Sequence, residues 1–370
     1  MKVKLGDVCD RETSNVRQGD VLGKEGAYPI YGAAGLIGNV DFFHQNVPYV
    51  AVVKDGAGVG RTMLLPGKSS VIGTMQYLVP KKNISAAYLK YVVQHMRLEK
   101  YCSGATIPHI YFRDYKNEEF TLSPPSEQVR IVDSLGRVER MIEIRRHEIS
   151  VLDDLIKARF VEMFGDSECN NKSWPVRTLN SLCTIGSSKR VYQEELGHEG
   201  VPFLRVSDLV NKISTGVVDS GLFVTQERYE ELQRMGLVPV EGDILVTSRG
   251  TIGRCYIVAQ DDRFYFQDGM ISWLSGYDAG ITSVYLKYLF MTAGLRKQIT
   301  CMQAGSTICY LSIAMLRKLR IMLPPIELQE RFAAFVAQVD KSKFRELGEF
   351  YGFIFRYRAK PAKEPFVDEF

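Results

Sequence analysis

Five short phrases occur twice in this chain, and both sets occur in the same order. Phrases that recur at a nearly fixed spacing indicate an internal duplication, which constrains the architecture before any single motif does. The pairs are "VKLGDVC" (3–9) with "VRTLNSLC" (176–183), "VKDGAGVGR" (53–61) with "VTSRGTIGR" (246–254), "YLKY" (88–91) with "YLKY" (285–288), "GATIPHIY" (104–111) with "GSTICYLS" (305–312), and "LSPPSEQ" with "MLPPIELQ". The chain is therefore predicted to contain two copies of one folding unit.

The spacing between matching phrases grows along the chain. It is about 174 residues at the first pair, about 193 at the glycine-rich pair and about 201 at the proline-rich pair. The second copy must therefore carry most of its additional residues early. Insertions confined to one stretch are typical of a variable binding region on a shared scaffold.

Each copy contains the patterns of both strands and helices. "YVAVV" and "DILVT" are short β-rich runs bounded by turn residues, whereas "AAYLKYVVQHMRLEKY" and "VYLKYLFMTAGLRKQI" have helical spacing. The predicted fold class is α+β: two tandem globular α/β units, separated by long antiparallel coiled-coil helices and related by a pseudo-twofold axis. The predicted segments are a first unit at 1–122, a central long helix at 123–165, a second unit at 166–322, a second spacer helix at 323–344 and an atypical tail at 345–370.

The proline phrase indicates the passage from a strand to a helix. Pro124 and Pro125 fix φ and keep the preceding residue extended, and Pro325 repeats this pattern. Ser126 is expected to cap the first helical turn, and Glu127 suits the positive end of the helix dipole. A helix is therefore predicted after each phrase.

The helix after the first junction has a heptad pattern of apolar residues. About 38 residues at about 1.5 Å each would make a rod of roughly 55 to 60 Å. The predicted seam residues are Ile131, Leu135, Val138, Ile142, Ile149, Leu152 and Ile156. Because the other faces are charged, a single apolar stripe favours a partner helix. The alternative is a long core helix of one domain.

The second junction supplies a partner helix. Phe332, Val336 and Val339 occupy the positions of the first three seam residues, so the two helices are expected to pack against each other, most simply antiparallel. At Lys343 the seam calls for an apolar residue. Beyond Phe344 the heptad is lost and the sequence becomes aromatic, as a change of reading frame would produce. The second helix is therefore expected to be short.

Composition limits the class of protein. The 370 residues are 45% apolar and 24% charged, which is enough for two or three compact cores. The net charge of +4 permits a polyanionic partner without requiring one. The opening "MKVKLGDVCD" lacks the apolar core of a signal peptide, and no apolar run approaches the roughly 18 residues of a membrane span. We expect a cytoplasmic protein without a membrane partner.

The sequence offers no catalytic or metal-binding constellation. Seven cysteines (9, 102, 169, 183, 255, 301 and 309) include no C-x-x-C pair, which favours buried thiols in a reducing compartment. The five histidines show no metal spacing. "DGAGVGR" and "SRGTIGR" lack the Walker lysine and precede strand-like runs, so tight hairpins are predicted in place of nucleotide sites. "SPPS" lacks the leading amide or acid and the trailing aromatic of an amino-methyltransferase tetrad.

Two similar units on a long rod suit a ligand with two spaced sites on a rigid lattice, such as duplex DNA. Arginine and lysine can contact guanine edges and phosphates, and glutamine can contact adenine. The candidate DNA-binding residues are Lys54, Arg61, Gln76, Lys81, Lys82, Arg190, Arg205, Arg249, Arg254, Gln267 and Gln303. For each of them taken singly, a solvated surface residue is the simpler interpretation.

This layout resembles the specificity subunit of a type I restriction-modification system. The order of variable unit, "LSPPSEQ" with a long helix, second variable unit and "MLPPIELQ" carries the resemblance. "YGAAGLIG", "KDGAGVGR" and "GATIPHIY" are also similar to phrases of its target-recognition domains. The resemblance covers the chain up to about Phe344. The second copy departs from it where Cys309 replaces Pro108 and "SIAML" replaces "YFRDY".

The resemblance implies a function and a set of partners. Each recognition domain would read one half of a split, asymmetric target in double-stranded DNA, and the helices would set the gap. Two methyltransferase (modification) subunits would dock on the helices, and restriction (nuclease-translocase) subunits would join them. By the same resemblance, S-adenosylmethionine, ATP and Mg²⁺ are bound by the partners, and this chain binds no cofactor and is not an enzyme.

Two other functions are open on the sequence. One is a stand-alone DNA-binding or scaffold protein whose coiled coil dimerises between chains, which would give a dimer in solution where an internal helix pair gives a monomer. The other is a DNA methyltransferase in its own right, which would transfer label from S-adenosylmethionine to DNA without a partner.

Overall fold

The computed structural model describes residues 1–104, 107–303 and 310–359, with 344–359 described as backbone only. The chain divides into two compact units, Met1–Ile144 (unit 1) and Arg145–Phe370 (unit 2). The boundary lies inside one continuous helix. Each unit thus includes a part of the predicted central helix.

Unit 1 is built around a four-stranded antiparallel sheet in the order β2-β8-β5-β6, with a two-stranded ladder β1-β9 and a three-stranded sheet β4-β3-β7. Its strands are β1 Lys2–Lys4, β2 Cys9–Thr13, β3 Tyr28–Gly32, β4 Gly35–Val40, β5 Tyr49–Val53, β6 Thr62–Leu65, β7 Ser70–Val71, β8 Met75–Pro80 and β9 Glu119–Thr121. Its helices are α1 Leu5–Val8, α2 Ala86–His95, α3 Phe112–Tyr115 and the beginning of α4 Pro125–Phe164.

The central strand β5 is buried on both faces. All five of its residues are inaccessible, and successive side chains point to opposite sides. Val50 and Val52 pack in a core with Leu89 of α2, whereas Tyr49 and Ala51 belong to a second core. An uninterrupted apolar run such as "YVAVV" is what a strand covered on both faces requires.

Unit 2 repeats this plan. Its four-stranded sheet has the order β11-β18-β15-β16, its ladder is β10-β19, and a further sheet has the order β12-β14-β13-β17. The strands are β10 Val176–Thr178, β11 Thr184–Gly186, β12 Leu196–Gly197, β13 Val201–Leu204, β14 Phe223–Val224, β15 Ile244–Thr247, β16 Cys255–Ile257, β17 Tyr265–Phe266, β18 Ile271–Ser275 and β19 Arg320–Met322. The helices are the rest of α4, then α5 Val206–Thr215, α6 Gln226–Arg234, α7 Ser283–Phe290, α8 Ala293–Met302, α9 Ile313–Lys318 and α10 Ile326–Ala359.

The strand orders confirm the internal duplication. The four-stranded sheets of the two units connect equivalent strands in the same order, and β10-β19 repeats β1-β9. The additional residues of the second copy include α5 and α6, which precede the hairpin of β15 and β16 that both units share. The insertion therefore lies early in the second unit, as predicted.

A buried glutamine fixes the start of α4 on unit 1. Gln128 is 3% exposed. Its amide donates to the carbonyls of Asn83 (2.8 Å) and Ser123 (3.0 Å) and accepts from the Ser85 N–H (3.1 Å). Because a buried amide must be fully paired, these bonds define the direction in which the helix leaves the unit.

Gln329 makes the same three bonds in unit 2. It is inaccessible, donates to the carbonyls of Gly280 (2.9 Å) and Pro324 (2.8 Å), and accepts from the Thr282 N–H (3.0 Å). The two junctions are therefore equivalent in their hydrogen bonds as well as in sequence. This repeated glutamine gives the proline phrases a physical role.

The helix begins two residues earlier than the predicted cap requires. α4 starts at Pro125, so Ser126 lies inside the first turn and is not its cap. Proline is favoured at the first helical position because that position needs no N–H donor within the helix. Glu127 does lie in the first turn, as predicted.

Seam residues of α4 pack into the core of each unit. In unit 1, Ile131 packs with Val132 against the core, whereas Leu135 is 40% exposed, so its assignment to the buried seam is wrong. Val138, Ile142 and Ile149 are half-buried. In unit 2, Ile156 is inaccessible and Leu152 packs beside it.

Within unit 2, α4 and α10 run antiparallel. Phe160 contacts Phe332 with 5.4 Å between ring centroids, and Asp153 pairs with Lys343 at 2.6 Å. Earlier residues of α4 thus meet later residues of α10. Val336 is 6% exposed and belongs to the same core. Lys343, which breaks the apolar pattern, therefore still joins the helix pair, through an ion pair.

The Val339 side chain is 7% exposed and packs in the same core, as the seam predicted. The predicted end of the second helix near 344 is too early, because the α10 backbone is helical to Ala359. Loss of a heptad removes a buried face but does not stop a helix, and 345–359 contains no proline. The rest of the predicted atypical tail, 360–370, lies outside the described residues.

The cysteines divide into two groups. Cys9, Cys183 and Cys255 are buried, and burial raises the pKa of each thiol to about 12. They are neutral apolar residues at physiological pH, as predicted. Cys102, Cys169 and Cys301 are exposed, so the prediction that they are buried is wrong. Cys309 lies outside the described residues.

Candidate nucleic-acid interface

The glycine-rich phrase of unit 1 forms a hairpin loop between β5 and β6, as predicted. The Gly60 N–H donates to the Val53 carbonyl (2.9 Å), and the Val53 N–H donates to the Arg61 carbonyl (2.9 Å). Gly60 has φ +87°, and a Cβ there would lie 2.8 Å from the Glu99 backbone nitrogen. Only glycine fits this position without displacing the backbone.

The segment that ends at Tyr111 packs beside this loop. The Ile110 N–H donates to the Lys54 carbonyl (2.9 Å). The His109 and Tyr111 rings meet edge to face with centroids 4.9 Å apart, and Tyr111 is 46% exposed. "DGAGVGR" and "IPHIY" therefore form one surface, although about 50 residues separate them in the sequence.

A cavity of about 430 Å³ opens at this surface. Four cationic side chains line it: Arg11 from β2, Lys54 from the hairpin loop, and Arg113 and Lys116 from α3 and the residue after it. Asp55 also lines it and pairs with Lys54 at 3.3 Å. The cavity therefore carries an excess of positive charge.

Arg11, Arg113 and Lys116 are not among the predicted candidates. The available signal was the phrase "YFRDYK" (111–116), which contains two cationic residues where the corresponding "SIAMLR" (312–317) contains one, although Asp114 leaves the net charge of the two phrases equal. Arg11 gave no such signal, because its place in the cavity depends on the pairing of β2 with β8.

Gln76 lies at the cavity but is only 2% exposed. Its amide nitrogen donates to the Tyr115 hydroxyl. Burial raises the pKa of Tyr115, so the phenol keeps its proton. The prediction that Gln76 reads a base edge is wrong, because its place in β8 turns its amide into the core.

Arg61 is exposed, and its Nη1 donates to the Ala33 carbonyl (3.1 Å) in the turn of "YGAAGLIG". Lys81 and Lys82 are also exposed but follow β8 at the end opposite Gln76. Lys81 pairs with Asp10 at 3.3 Å. The structure therefore does not bring these two lysines to the cavity.

Unit 2 repeats the glycine hairpin with a loop one residue shorter. The Gly253 N–H donates to the Thr247 carbonyl (2.9 Å), and the Thr247 N–H donates to the Arg254 carbonyl (3.0 Å). The Leu311 N–H donates to the Ser248 carbonyl (2.9 Å), which repeats the bond from Ile110 to Lys54. The same two-part surface therefore exists in both units.

Several predicted DNA-binding residues of unit 2 lie near the loop between β17 and β18. The Arg249 guanidinium lies 5.2 Å from the centroid of the Tyr310 ring, and the Tyr310 hydroxyl donates to the Gly269 carbonyl (3.0 Å). The neighbouring Asp268 pairs with Arg190 Nε at 2.9 Å. Arg190 and Arg249 therefore flank one loop.

Gln267 belongs to this loop, and Arg205 lies at the end of the neighbouring strand β13. The Gln267 N–H donates to the Leu204 carbonyl (2.9 Å), and Arg205 pairs with Asp208 at 3.2 Å where α5 begins. Arg190, Arg249 and Gln267 thus lie at this loop, and Arg205 follows Leu204, which is hydrogen-bonded to it.

Arg254 is exposed at the end of the glycine loop in unit 2. Gln303 follows α8 directly and is half-buried. Residues 304–309, which include Cys309 and most of "GSTICYLS", lie outside the described residues, so the predicted departure there is not described.

In the described ranges, no group of three or more His, Cys, Asp and Glu side chains is placed to hold a metal ion. Over the same residues, no helix combines the length and the apolar character needed to cross a membrane.

Comparison with known proteins identifies the class. The family model described as "Type I restriction modification DNA specificity domain" matches residues 1–153 and 171–347, and the chain belongs to this family. The predicted family resemblance and the predicted fold class are therefore confirmed. The two matched ranges also agree with the internal duplication.

Relatives in this family are specificity subunits of type I restriction enzymes. A Haemophilus influenzae protein that bears this name is 20% identical over 319 residues, which cover 84% of this chain and 79% of that protein. The MjaVIII specificity subunit of Methanocaldococcus jannaschii is 24% identical over 315 residues, 79% of this chain and 72% of its own.

A crystal structure of the type I restriction-modification S subunit from M. genitalium has a similar fold. It superposes with a TM-score of 0.58 at 17% identity and covers 96% of this chain and 93% of that one. At this identity the likeness concerns the fold alone.

Proposed function

We propose that this chain is the non-catalytic DNA specificity subunit of a cytoplasmic type I restriction-modification complex. Each unit reads one half of a bipartite target in double-stranded DNA through its glycine hairpin and the neighbouring segment. The helices set the gap and dock methyltransferase subunits, and restriction subunits join them. S-adenosylmethionine, ATP and Mg²⁺ are bound by those partners.

The repeated hairpin surface carries this proposal. Both units place exposed arginines beside the same hydrogen-bonded pair of segments, and a tyrosine lies next to the bonded residue of the second segment, Tyr111 after it in unit 1 and Tyr310 before it in unit 2. Arginine and lysine supply phosphate contacts and base contacts in DNA complexes. Two such surfaces in one chain suit a target with two separate halves.

The alternative of a scaffold that dimerises through its helices has less support. In unit 2, Phe160 and Leu152 of α4 already pack in a core with Phe332 of α10 from the same chain. This part of the seam is therefore occupied within the chain and is not available to a second copy.

We expect the chain, purified from its native cell, to bring methyltransferase subunits with it. The complex should transfer label from S-adenosylmethionine to duplex DNA at split sites, whereas the pure chain should transfer none. Transfer by the pure chain would mean that it is a methyltransferase itself. A chain that purifies alone and binds no DNA would contradict the proposal.

Arg61→Ala and Arg249→Ala should relax recognition of different halves of the target. The two arginines lie on matching hairpin loops of separate units, and a good base contact discriminates by about 1–3 kcal/mol. Methylation mapping of each variant complex would identify the relaxed half-site. Arg137→Ala, on an exposed face of α4, is the control and should leave both halves intact. Relaxation of the same half by both variants would contradict the model of two readers.

A further inference from the structure

We propose that the cationic cavity of unit 1 binds a phosphodiester group of the DNA backbone, and that the equivalent positions of unit 2 do not form such a site. The cavity is lined by Arg11, Lys54, Arg113 and Lys116. This inference rests on the proposed function, because it requires that the chain binds DNA.

The charge balance of the cavity calls for an anion. Four cations line a space of about 430 Å³, and the lining contains one carboxylate, Asp55, which pairs with Lys54. Like charges brought together in a concave surface repel one another, and a bound anion relieves this repulsion. A second carboxylate, Asp114, lies outside the lining and pairs with Arg113 at 3.5 Å, so the four cations and these two carboxylates leave an excess of two positive charges.

The rim suits a nucleic-acid backbone. The Arg113 guanidinium lies 4.7 Å from the centroid of the Tyr111 ring, and Tyr111 is 46% exposed. The ring therefore holds the guanidinium at the opening of the cavity. Arginine binds phosphate oxygens through two parallel N–H groups, and lysine binds them as a point charge.

The duplication identifies the equivalent positions in unit 2. In the sheet of unit 1, the cross-strand partner of Arg11 is Leu78, and that of Leu78 in the next strand is Val50. In the sheet of unit 2, the same positions are occupied by Ile185, Leu274 and Ile244. Arg11 therefore corresponds to Ile185. Lys54 corresponds to Ser248, because their carbonyls accept the equivalent bonds from Ile110 and Leu311. When the starts of α3 and α9 are aligned, Arg113 corresponds to Ala314 and Lys116 to Arg317.

Only one of the four cations is thus retained in unit 2. Arg317 donates from Nη2 to the Ile185 carbonyl (3.4 Å), so it is bound to its own sheet. Two other cations of unit 2, Arg190 and Arg249, lie around the loop that contains Asp268. The two units therefore share a scaffold but hold the DNA backbone with different residues.

Arg113→Gln combined with Lys116→Gln tests this proposal in the full chain with its copurifying subunits. Both side chains are exposed, so the variant should fold, and a thermal unfolding curve would verify this. The slope of log K against log[salt] changes by about 0.9 for each phosphate contact. We expect the slope of the variant, which is negative, to be smaller in magnitude by about 1 to 2. The matched control, Arg130→Gln with Arg137→Gln, removes the same charge from α4 and should change the slope by less.

A duplex with single neutral methylphosphonate linkages locates the contact. One such linkage in the half-site of unit 1 should weaken binding by the wild type about tenfold. It should have little effect on the variant, because the variant has already lost the side chains that contact this phosphate. If the wild type binds DNA and the two double variants show equal slopes, the cavity is not a phosphate site. If the wild type binds no DNA, the proposed function itself is wrong.

Discussion

Phe332→Ala is expected to lower the free energy of unfolding of unit 2 by about 4 kcal/mol, since burying a phenylalanine in a tight core is worth about 3–5 kcal/mol. Phe332 is inaccessible, and its ring contacts Phe160, Phe164 and Tyr288 with centroids 5.3 to 5.4 Å away. These rings belong to α4 and α7. The substitution therefore removes the residue that joins α10 to both helices.

Ile131→Ala provides the matched control, because Ile131 occupies the equivalent position in unit 1 but is only half-buried. Its cost should be smaller, about 1–2 kcal/mol, because less apolar surface is lost. Denaturant unfolding followed by hydrogen exchange would assign each loss to its unit. Equal losses for the two substitutions would contradict the view that Phe332 holds α10 in place.

The internal duplication made most of the fold predictable. The glycine hairpins and the helix after each proline phrase follow from phrases that can be aligned by eye, and Gln128 and Gln329 explain why the proline phrases recur. Turns and apolar strands are determined by residues that are close to one another in the sequence. A single sequence is therefore enough to predict where these turns and strands lie.

The helix seam was predicted less well, because a strict heptad assumes 3.5 residues per turn. A straight α-helix has 3.6, so its buried face drifts by about 20° per heptad. Near the end of α4, Phe160 and Phe164 are buried, although neither belongs to the predicted seam. In the other direction, Leu135 is exposed although the heptad includes it.

The candidate site was predicted only in part. Arg190, Arg205, Arg249 and Gln267 lie together because β13 pairs with β17, and this parallel pairing joins distant parts of the chain. The cavity of unit 1 likewise combines residues from 11 to 116. Gln76 was misassigned for the same reason, because its burial depends on which strands cover β8. Tertiary pairing decides such contacts.

An insertion of four helical residues between Glu148 and Ile149 should lengthen the unread gap of the DNA target while leaving both half-sites unchanged. It adds about 6 Å to α4, close to two base-pair steps of about 3.4 Å each. The insertion lies between Gln128, which fixes α4 on unit 1, and Phe160, which anchors it in unit 2. Both anchors and both recognition surfaces therefore stay as they are.

The added rotation decides how cleanly the gap responds. Four residues turn the helix by about 40° beyond one full turn, whereas two base pairs turn DNA by about 70°, so linker and duplex must absorb the difference. We therefore expect a gap longer by about one or two base pairs. Genome-wide methylation mapping of the wild-type and variant complexes would measure it. Four residues inserted between Gly216 and Val217, in an exposed loop after α5, are the control and should leave the gap unchanged. An active helix variant with the original gap, or with altered half-sites, would show that α4 does not set the spacing.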